Sequence, residues 1–583
     1  MKKHFLIASA LTLILSCSAI ASNLIENGNC ESLQGWNIDK PEFVSLSDQS
    51  VEGKHSIKLG GDTSAPDGSE PILAWQKLDI KKFDLKGDYR LKFRAKSDHF
   101  PQVFNLSMGV EKDGIWISSI TWKRRQVGTS WQDVQVDFRD FLPTADGFKL
   151  CIQVRAPGSV WIDDLRIEQL PAGTIWAEER KLKDLPKYKG SPSYVQITSD
   201  RRFLVKGKPF FPIGMWGIDF PNEKAMRDMR DFGFNTCGSG HLYTKGVDGT
   251  KSYLDMAHSY GLMVNGVLRF GWEGENAEAL AEAEKMKEIF KPIMEVTKIH
   301  PALLAYDLAD EAAAIGTNLA AFAEGANFLR ANDPNHPIFS NQAARGSVDL
   351  LKRWYRFEDI GGSDIYPWRC PAVDNFCDLP NRTISVVGED CAKNLKALGP
   401  GKPALMTIQA FAWNDVNGVE PKSEEYSYPP TEILRFMCYD AITSGASGVM
   451  LYQCMAYKDE EGQIINPKVK PVSLDLSAMH DVLASPTIRK GAKPLDKRIK
   501  LITKKYGKDL YIIAVNTTGE NVNSGIALPS SSKTWTVLFE GRTVNATKKA
   551  FQESFGPWDV SIYTNCKDPK LLEQFENKAM GIR

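Results

Sequence analysis

Strand-like and helix-like patterns alternate from Phe211 to Leu483, and this alternation limits the possible fold more than any other feature. Short apolar runs with the length of buried strands are separated by stretches with helical periodicity. The predicted strands are 211–215, 234–238, 262–268, 302–310, 336–340, 360–366, 403–408 and 448–452. The predicted helices are 223–232, 251–260, 277–298, 319–331, 348–354, 382–398, 431–444 and 474–483. Such alternation is typical of a (β/α)8 TIM barrel, which we predict over residues 195–490.

The segments on either side of this region have β-type patterns. Residues 22–170 contain runs that alternate apolar with polar, such as Tyr89–Ala95, separated by Gly, Asp and Ser. Many short alternating strands predict a β-sandwich of the jelly-roll kind. Residues 491–566 return to strand-like runs and predict a smaller C-terminal β-sandwich. We therefore predict a multidomain chain, with a linker at 171–194 and a polar tail at 567–583.

Composition excludes several functional classes. The 583 residues exceed what one core supports. Lys and Arg total 72 and balance the 72 Asp and Glu residues, so the basic footprint of a nucleic-acid binder is missing. The sequence contains no Gly-rich phosphate loop and no convincing His/Asp metal cluster, so no organic cofactor is expected. Its ten cysteines leave both disulfides (Cys30 with Cys151, Cys370 with Cys377) and buried thiols open.

The first residues resemble an export signal. Lys2 and Lys3 precede an apolar run at 5–15, and Ala19-Ile20-Ala21 is a small-x-small cleavage pattern. The apolar run is too short to span a bilayer, and no later segment predicts a transmembrane helix. We predict cleavage after residue 21 and export to the periplasm, cell surface or medium. A lipoprotein anchored through Cys17 is the alternative.

Chemically active side chains collect where the eight predicted strands end. In a (β/α)8 barrel that end carries the active site. The set is aromatic and hydrogen-bonding, with few charges, which suits sugars because they offer apolar faces and many hydroxyls. Its members are Trp216, His241, Arg269, Asp310, Glu311, Asn341, Asp364, Tyr366, Trp368, Gln409, Trp413, Tyr452 and Gln453.

Several motifs resemble the clan-A-like glycoside hydrolases. They are Gly207-Lys-Pro-Phe-Phe-Pro-Ile-Gly214, Gly233-Phe-Asn-Thr236, and His300-Pro-Ala-Leu303 before a strand that ends in Glu311. The resemblance implies that Glu311 is the general acid/base. It also implies a nucleophilic Glu at the end of strand seven, but Gln409 stands there. Asp310 likewise replaces the usual Asn.

The missing nucleophile leaves three alternatives open. Asp364 is the best-placed second carboxylate, with Glu389, Asp415 and Glu420 behind it, because glycoside hydrolysis normally uses two carboxyl groups. Alternatively, Asp310 and Glu311 work together, as in substrate-assisted N-acetylhexosaminidases. In the third alternative the barrel binds glycan without cutting it. We expect an exported glycoside hydrolase that cleaves a polysaccharide or oligosaccharide.

The N-terminal segment resembles the galactose-binding-type jelly rolls of carbohydrate-binding modules. The resemblance rests on Asn23-Leu-Ile-Glu-Asn-Gly28, Gly35-Trp36 and Val160-Trp-Ile-Asp-Asp-Leu-Arg166. It implies sugar-stacking aromatic platforms, for which the candidates are Trp75, Trp116 and Trp122. It also implies a structural calcium near Glu31 and Asp164.

Overall fold

The computed structural model describes residues 23–582, except 62–71, 100–101, 113, 140, 142–144, 155–157, 217–221, 240–241, 271–275, 371–376, 416–426, 453–456, 460–461 and 465. Internal contacts divide the chain into two compact units. The first comprises the chain up to Phe104 with Gln126–Arg139 and Gln153–Ile175. The second comprises Asn105–Arg125, Asp140–Ile152 and Trp176–Arg583.

The first unit contains a five-stranded antiparallel sheet. Its strands, in spatial order, are Val44–Ser47, Ser56–Gly61, Gly158–Leu170, Asp88–Ser97 and Gln132–Phe138. Along Asp88–Ser97, Tyr89 and Leu91 are buried while Arg90 and Lys92 are half-buried, so the period-two pattern of the sequence is the burial pattern of the strand.

The N-terminal region has a second five-stranded sheet. Its strands are Asn37–Ile38, Ile72–Leu78, Gln102–Lys112, Ile115–Val127 and Gly147–Val154. Two short 3-10 helices, Pro41–Phe43 and Ile80–Lys82, connect strands in this region. Antiparallel sheets at the N-terminus confirm the predicted fold class there.

Eight parallel strands close into a barrel, as predicted. Strand 8 pairs with strand 1, through Met450 and Gly214 among others, and this pairing completes the ring. Barrel strands 1 to 8 are Ile213–Met215, Thr236–Ser239, Met263–Val267, Leu303–Asp310, Ile338–Ala343, Ser363–Ile365, Leu405–Gln409 and Gly448–Tyr452.

A helix follows each barrel strand in sequence. The eight main helices are Glu223–Asp231, Gly246–Ser259, Asn276–Thr297, Leu319–Asn332, Val348–Tyr355, Val386–Leu398, Thr431–Thr443 and Lys470–Ala478. Several begin at side-chain caps: Asn222 accepts from the Ala225 N–H, and Ser347 accepts from the Leu350 N–H. Shorter helical turns are Ala177–Arg180, Leu242–Lys245, Ala312–Ile315, Trp413–Asp415, Pro467–Val469 and His480–Leu483.

Side chains fill the barrel interior and support its mouth. Ala305, Phe339 and Met450 belong to an interior cluster against which Trp216 packs. The Trp216 and Phe339 rings stack at 6.0 Å. A Cβ at Gly238 would lie 1.8 Å from the Trp216 ring, so the missing side chain makes room for the indole. The interior is therefore a packed core that carries a functional face above it.

Two further antiparallel sheets form the predicted C-terminal sandwich around Trp535, Ile512 and Phe551. One contains Lys493–Pro494, Val522–Ala527 and Ala550–Phe555. The other, in spatial order, contains Ile499–Tyr506, Asp509–Asn516, Val560–Thr564, Thr534–Val537 and Arg542–Asn545. The remaining elements are a small sheet of Val195–Ile197, Phe203–Val205 and Lys208–Phe210, a hairpin of Tyr457–Asp459 and Gly462–Ile464, and a helix at Pro569–Ala579.

Two sequence expectations concern the cysteines and membrane spans. Cys30 and Cys377 carry thiols, so neither of the two possible cysteine pairs is closed as a disulfide. Cys237 is fully buried, and burial raises the pKa of its thiol to about 12.

Among the described residues, none of the helices combines the length and apolarity that crossing a bilayer requires.

Candidate active site

Glu311 stands where barrel strand 4 ends, at the predicted carboxylate pair. Its φ of 49° lies in the left-handed region, which is costly for a residue with a side chain. Two contacts to strand 5 hold the turn. The Glu311 N–H donates to the Asn341 carbonyl at 2.6 Å, and the Ala313 N–H donates to Gln342 Oε1 at 3.0 Å. Strained backbone held in this way is typical of functional positions.

The side chains of Glu311 and Asp364 hydrogen-bond to each other, which joins the ends of strands 4 and 6. Burial is the largest cause that raises the pKa of each carboxyl group. The Glu311 charge further raises the pKa of Asp364, whereas the hydrogen bond with Asp364 lowers the pKa of Glu311. A hydrogen bond between two carboxyl groups needs a proton on one of them. Because this hydrogen bond raises the pKa of Asp364 and lowers that of Glu311, Asp364 is the donor in the pair and Glu311 is the acceptor.

Asp310 lies next to this pair but in a different environment. Its side chain is half-exposed, and its Oδ2 lies 3.3 Å from the Arg269 guanidinium. The Asn341 amide donates to Asp310 Oδ1, also at 3.3 Å. The charge of Asp310 raises the pKa values of Glu311 and Asp364. The sequence-adjacent carboxyl groups thus have separate partners, although they affect each other electrostatically.

Two further groups act on the carboxyl pair. The Tyr366 hydroxyl hydrogen-bonds to Asp364 and lowers the pKa of that carboxyl, against the larger effect of burial. The Arg345 charge lowers the pKa of Glu311. Arg345 was not among the predicted site residues. It comes two residues after strand 5, so extending the search slightly beyond the strand ends would have found it.

Aromatic rings cluster around Tyr366. The Tyr366 and Tyr452 rings stack at 5.6 Å with an interplanar angle of 23°. Phe411 meets Tyr366 edge-on at 5.1 Å, and Trp413 packs edge-on against Phe411 at the same distance. Phe411 was also missed by the sequence prediction, because it lies between the predicted strand end and Trp413. Phe411 is itself buried, so the half-buried rings of Tyr366, Tyr452 and Trp413 are the apolar surface that this cluster offers to a sugar face.

A chain of hydrogen bonds connects strands 1, 7, 5 and 4. The Trp216 indole donates to Thr407 Oγ1 at 3.0 Å, and Thr407 donates to Asn341 Oδ1 at 3.2 Å. The Asn341 amide then donates to Asp310. Thr407 was not predicted as a site residue, because its position inside strand 7 suggests packing. The chain fixes the orientation of Trp216 and Asn341 at the mouth.

The sequence predicts that Gln409 contacts a sugar, but its side chain lies in the interior. It is fully buried, its Oε1 accepts from the Trp368 N–H at 2.8 Å, and its Nε2 donates to the carbonyls of Trp368 and Phe411 at 3.1 and 3.2 Å. Trp368 is half-buried, and its indole donates to the Ser427 carbonyl at 3.1 Å. Gln409 therefore ties together the loops after strands 6 and 7, and no substrate contact is proposed for it.

The other predicted site residues are not partners of the Glu311–Asp364 pair, or they fall outside the described residues. Glu389 is exposed on the helix Val386–Leu398, where it accepts from Asn381 at 2.8 Å. Trp75 is half-buried in the strand Ile72–Leu78. The remaining predicted groups, which fall outside the described residues or side chains, are His241, Gln453, Glu420, Asp415, Trp116 and Trp122.

The residues expected to hold calcium do not fit that ion. Glu31 Oε1 accepts from the N–H groups of Lys54 and His55 at 2.7 and 3.2 Å, and Oε2 lies 3.2 Å from the His55 ring. Asp164 pairs with Arg166 at 2.5 Å. Calcium needs six to eight oxygen ligands, whereas these oxygens already face donors. In the part of the chain that the structure describes, no group of three His, Cys, Asp or Glu side chains is placed to hold a metal.

Fold and site together define a (β/α)8 barrel protein with a hydrogen-bonded carboxyl pair and an aromatic cluster at one mouth. No family model matches the sequence, and no curated protein matches it. Solved structures resemble the fold of parts of the chain. AmyP in complex with maltose is 13% identical, with a TM-score of 0.40 over 60% of this chain and 92% of that chain.

Two more solved structures are similar to parts of the chain. A GH30 endoxylanase from Clostridium papyrosolvens is 11% identical, with a TM-score of 0.37 over 64% of this chain and 97% of that chain. TmCBM61 in complex with β-1,4-galactotriose is 15% identical, with a TM-score of 0.20 over 25% of this chain and 99% of that chain. At such identities and TM-scores the likeness carries no conclusion about chemistry, which rests on the site itself.

Proposed function

We propose that this protein hydrolyses O-glycosidic bonds of a polysaccharide or oligosaccharide. The observation that carries the proposal is the hydrogen bond between Glu311 and Asp364 at the barrel mouth. Glycoside hydrolysis requires one carboxyl group that donates a proton and one that is ionised, and a pair that shares one proton supplies both. The half-buried rings of Tyr366 and Tyr452 provide a surface against which a sugar would stack.

Glu311 is assigned as the proton donor to the leaving oxygen. It ends strand 4, where the resembling enzymes carry their acid/base, and burial and the Asp310 charge raise its pKa. Asp364 then acts as the ionised partner, which requires the proton that Asp364 donates in the free pair to pass to Glu311 when the substrate binds. The Tyr366 hydroxyl supports that role because it hydrogen-bonds to Asp364 and favours the charged form. The reverse assignment, with Asp364 as the proton donor and Glu311 as the ionised group, is tested with aryl glycosides that have good leaving groups.

The short separation of the two groups favours retention of configuration. Carboxyl groups that hydrogen-bond directly lie closer than the roughly 6.5–9.5 Å needed to place a water between acid and base. Asp364 would therefore attack the anomeric carbon, and Glu311 would protonate the departing oxygen and later activate water. Proton NMR of the first-formed sugar would give the retained anomer, whereas the inverted anomer would contradict the role of Asp364.

A hydrolysis screen tests the proposal. The parent, Glu311→Gln and Asp364→Asn would meet polysaccharides and aryl glycosides, including 2-acetamido sugars, with the exposed Glu389→Gln as control. Cleavage that collapses in both site variants and persists in the control supports the proposal. Aryl glycosides with good leaving groups should still be cleaved by a variant that lacks only the acid. If Asp364→Asn retains that activity and Glu311→Gln loses it, the two roles are reversed.

Two alternatives remain as outcomes of the same screen. Activity confined to 2-acetamido sugars and lost in Asp310→Asn would support a substrate-assisted mechanism, since Asp310 is half-exposed beside Glu311. Binding of a glycan without any cleavage would support a capture protein. The observation that favours capture is Gln409, which stands where the resembling enzymes carry a nucleophile and which faces only main-chain groups.

We further propose that the protein is exported and that its N-terminal sheets bind carbohydrate. Support for export comes from the signal-like pattern of residues 1–21, which lies outside the described residues. Fractionation of cells that express the parent and Cys17→Ala would test the anchor. If the two variants distribute identically in the soluble fraction, the lipid anchor is excluded. If both stay in the cytoplasm, export is excluded.

A further inference from the structure

Gln342 lies between the two strands that carry the carboxyl pair. It belongs to strand 5, and its main chain pairs with Ser363 of strand 6, one residue before Asp364. Its N–H donates to the Gly362 carbonyl at 2.9 Å. On the other side, its Oε1 accepts from the Ala313 N–H at 3.0 Å, in the turn that follows strand 4. One residue therefore contacts the chain beside both carboxyl groups.

The turn at Glu311 needs support of this kind. Its φ of 49° lies in the left-handed region, and such backbone persists only where the surrounding contacts hold it. The Asn341 carbonyl accepts from the Glu311 N–H, and the Gln342 amide accepts from the Ala313 N–H. Of these two contacts, the second is made by a side chain. A single substitution can therefore remove it.

Hydrogen bonds on the far side of the Gln342 amide decide which of its atoms faces Ala313. Gln342 Nε2 donates to Ser340 Oγ at 2.9 Å and lies 3.5 Å from Glu358 Oε1. Ser340 Oγ donates to Glu358 Oε1 at 2.7 Å. A hydroxyl has one O–H, and Ser340 gives it to Glu358, so its oxygen accepts from the Gln342 amide. The amide oxygen of Gln342 is then left to face Ala313.

Water does not reach this chain of hydrogen bonds. Gln342 and Ser340 are fully buried, and only 1% of the surface of Glu358 is exposed. Because water cannot replace a lost partner there, each hydrogen bond holds its neighbours more firmly than an exposed one would. A fully buried Gln342 also does not touch a substrate, so any effect on a reaction must pass through the turn that it supports.

We propose that Gln342 is a positioning residue, which keeps the Glu311 carboxyl within hydrogen-bond reach of Asp364. The inference rests on the proposed hydrolytic function and deepens it. The main chain of Gln342 is fixed against strand 6, and its amide transfers that position to the turn after strand 4. Hydrogen bonds weaken steeply when their geometry is disturbed, so a looser turn would separate the two carboxyl groups.

The Gln342→Met variant tests this role, because it nearly keeps the side-chain length and removes the amide. Coupling spreads the two pKa values of a carboxyl pair apart, so its loss brings them together. The acidic limb of kcat/KM against pH should move to higher pH and the alkaline limb to lower pH, by about one pH unit in total. Asp310, Arg345 and Tyr366, which also act on the pair, are kept in this variant.

The same variant should also separate kcat from KM. We expect kcat to fall about tenfold or more, because a small displacement of a reacting group is costly. KM should change little, since the buried Gln342 side chain does not contact the substrate. A fall in activity at every pH with both limbs unmoved would overturn the proposal, because loss of stability alone would give that result.

Gln76→Met is the matched control. Gln76 is also buried, and its amide accepts from the Glu26 N–H and donates to the Glu26 carbonyl, both at 2.9 Å. This variant should unfold at a lower temperature and keep both limbs of the parent profile. If Gln342→Met does not fold, Ser340→Ala replaces it, because it frees the Gln342 amide to turn. The profile of Ser340→Ala should narrow in the same way, and an unchanged profile would overturn the proposal.

A titration of the carboxyl group separates this role from the hydrolytic function. Carbon NMR of the full chain, labelled at the glutamate carboxyl carbons, follows Glu311, whose signal is identified by its loss in Glu311→Gln. Its titration steps should lie closer together in Gln342→Met than in the parent, and equal steps would contradict the role of Gln342. If the parent hydrolyses no glycoside, the proposed function fails, and this titration still decides whether Gln342 positions the pair.

Discussion

Glu311 directly follows barrel strand 4 and Asp364 lies on strand 6, yet their carboxyl groups share a hydrogen bond across the intervening strand. The left-handed turn at Glu311 ends strand 4 and is tied to Asn341 of strand 5. Because one proton serves both carboxyl groups, they titrate as a pair rather than as two independent acids. The function that we propose depends on this coupling.

Because the two carboxyl groups are coupled, removing both should lower kcat by less than the product of the two single losses. Glu311→Gln and Asp364→Asn should each lower kcat by about 10²-fold or more, since each removes an acid, base or nucleophile. The double variant should be little worse than the worse single variant, because either change already disables the unit. Single-turnover rates on one substrate would measure this, and multiplicative losses would show that the two groups act independently.

Asp310 should set the alkaline limit of activity. Its charge raises the pKa of Glu311, so Asp310→Asn should lower that pKa and move the alkaline limb of the pH–rate profile to lower pH. The variant should stay active at acidic pH, because Asp310→Asn leaves the Glu311–Asp364 pair in place. Complete loss of activity at every pH would instead support a direct role of Asp310 in substrate-assisted hydrolysis.

Tyr366 should set the acidic limit of activity. Its hydroxyl lowers the pKa of Asp364, so Tyr366→Phe should raise that pKa and move the acidic limb to higher pH. The ring remains in place in this variant, so KM should change little. Tyr366→Leu also removes the stack on Tyr452 and should raise KM as well. An unmoved acidic limb in Tyr366→Phe would mean that Asp364 is not the group ionised in catalysis.

The sequence predicted the barrel strands well because strands 1, 3, 4, 7 and 8 are mainly apolar runs bounded by polar or Gly residues. Strand 5 was placed at 336–340 but runs from Ile338 to Ala343, since Asn341 and Gln342 look like loop residues. Strand 1 was placed two residues early for the opposite reason: apolar residues precede Ile213. The hydrophobic period and the polarity of a segment identify a strand, but they do not show at which residue its hydrogen-bonded pairing with the neighbouring strand begins or ends.

Sequence reasoning placed the site at the strand ends but could not predict its contacts. Glu311 and Asp364 were both selected, yet their hydrogen bond depends on a left-handed residue that no local pattern indicates. The role of Gln409 was misjudged for a related reason. The end of a barrel strand suggests a group at the mouth, whereas this side chain is fully buried and faces main-chain carbonyls.

Replacing Gln409 by Glu should therefore destabilise the protein without creating a nucleophile. The change removes two N–H donors from the carbonyls of Trp368 and Phe411 and buries a carboxyl group beside them. We expect a loss of about 2–4 kcal/mol in the free energy of unfolding. Gln409→Met, which removes the donors without adding charge, should cost less. Increased hydrolysis by Gln409→Glu would contradict the structural role given to this residue.

Glu358 should make the barrel less stable as pH rises. Its pKa is about 8 in the folded protein against 4.5 as its ordinary value, so the folded state binds more protons than the unfolded state between these values. The free energy of unfolding therefore falls as pH rises from about 4.5 to 8, by at most roughly 1.4 kcal/mol per pH unit from this group. Glu358→Gln should reduce the difference in thermal midpoint between pH 5.5 and pH 9, whereas exposed Glu389→Gln should leave it unchanged. An equal pH dependence in the parent and Glu358→Gln would show that Glu358 is ionised in the folded barrel.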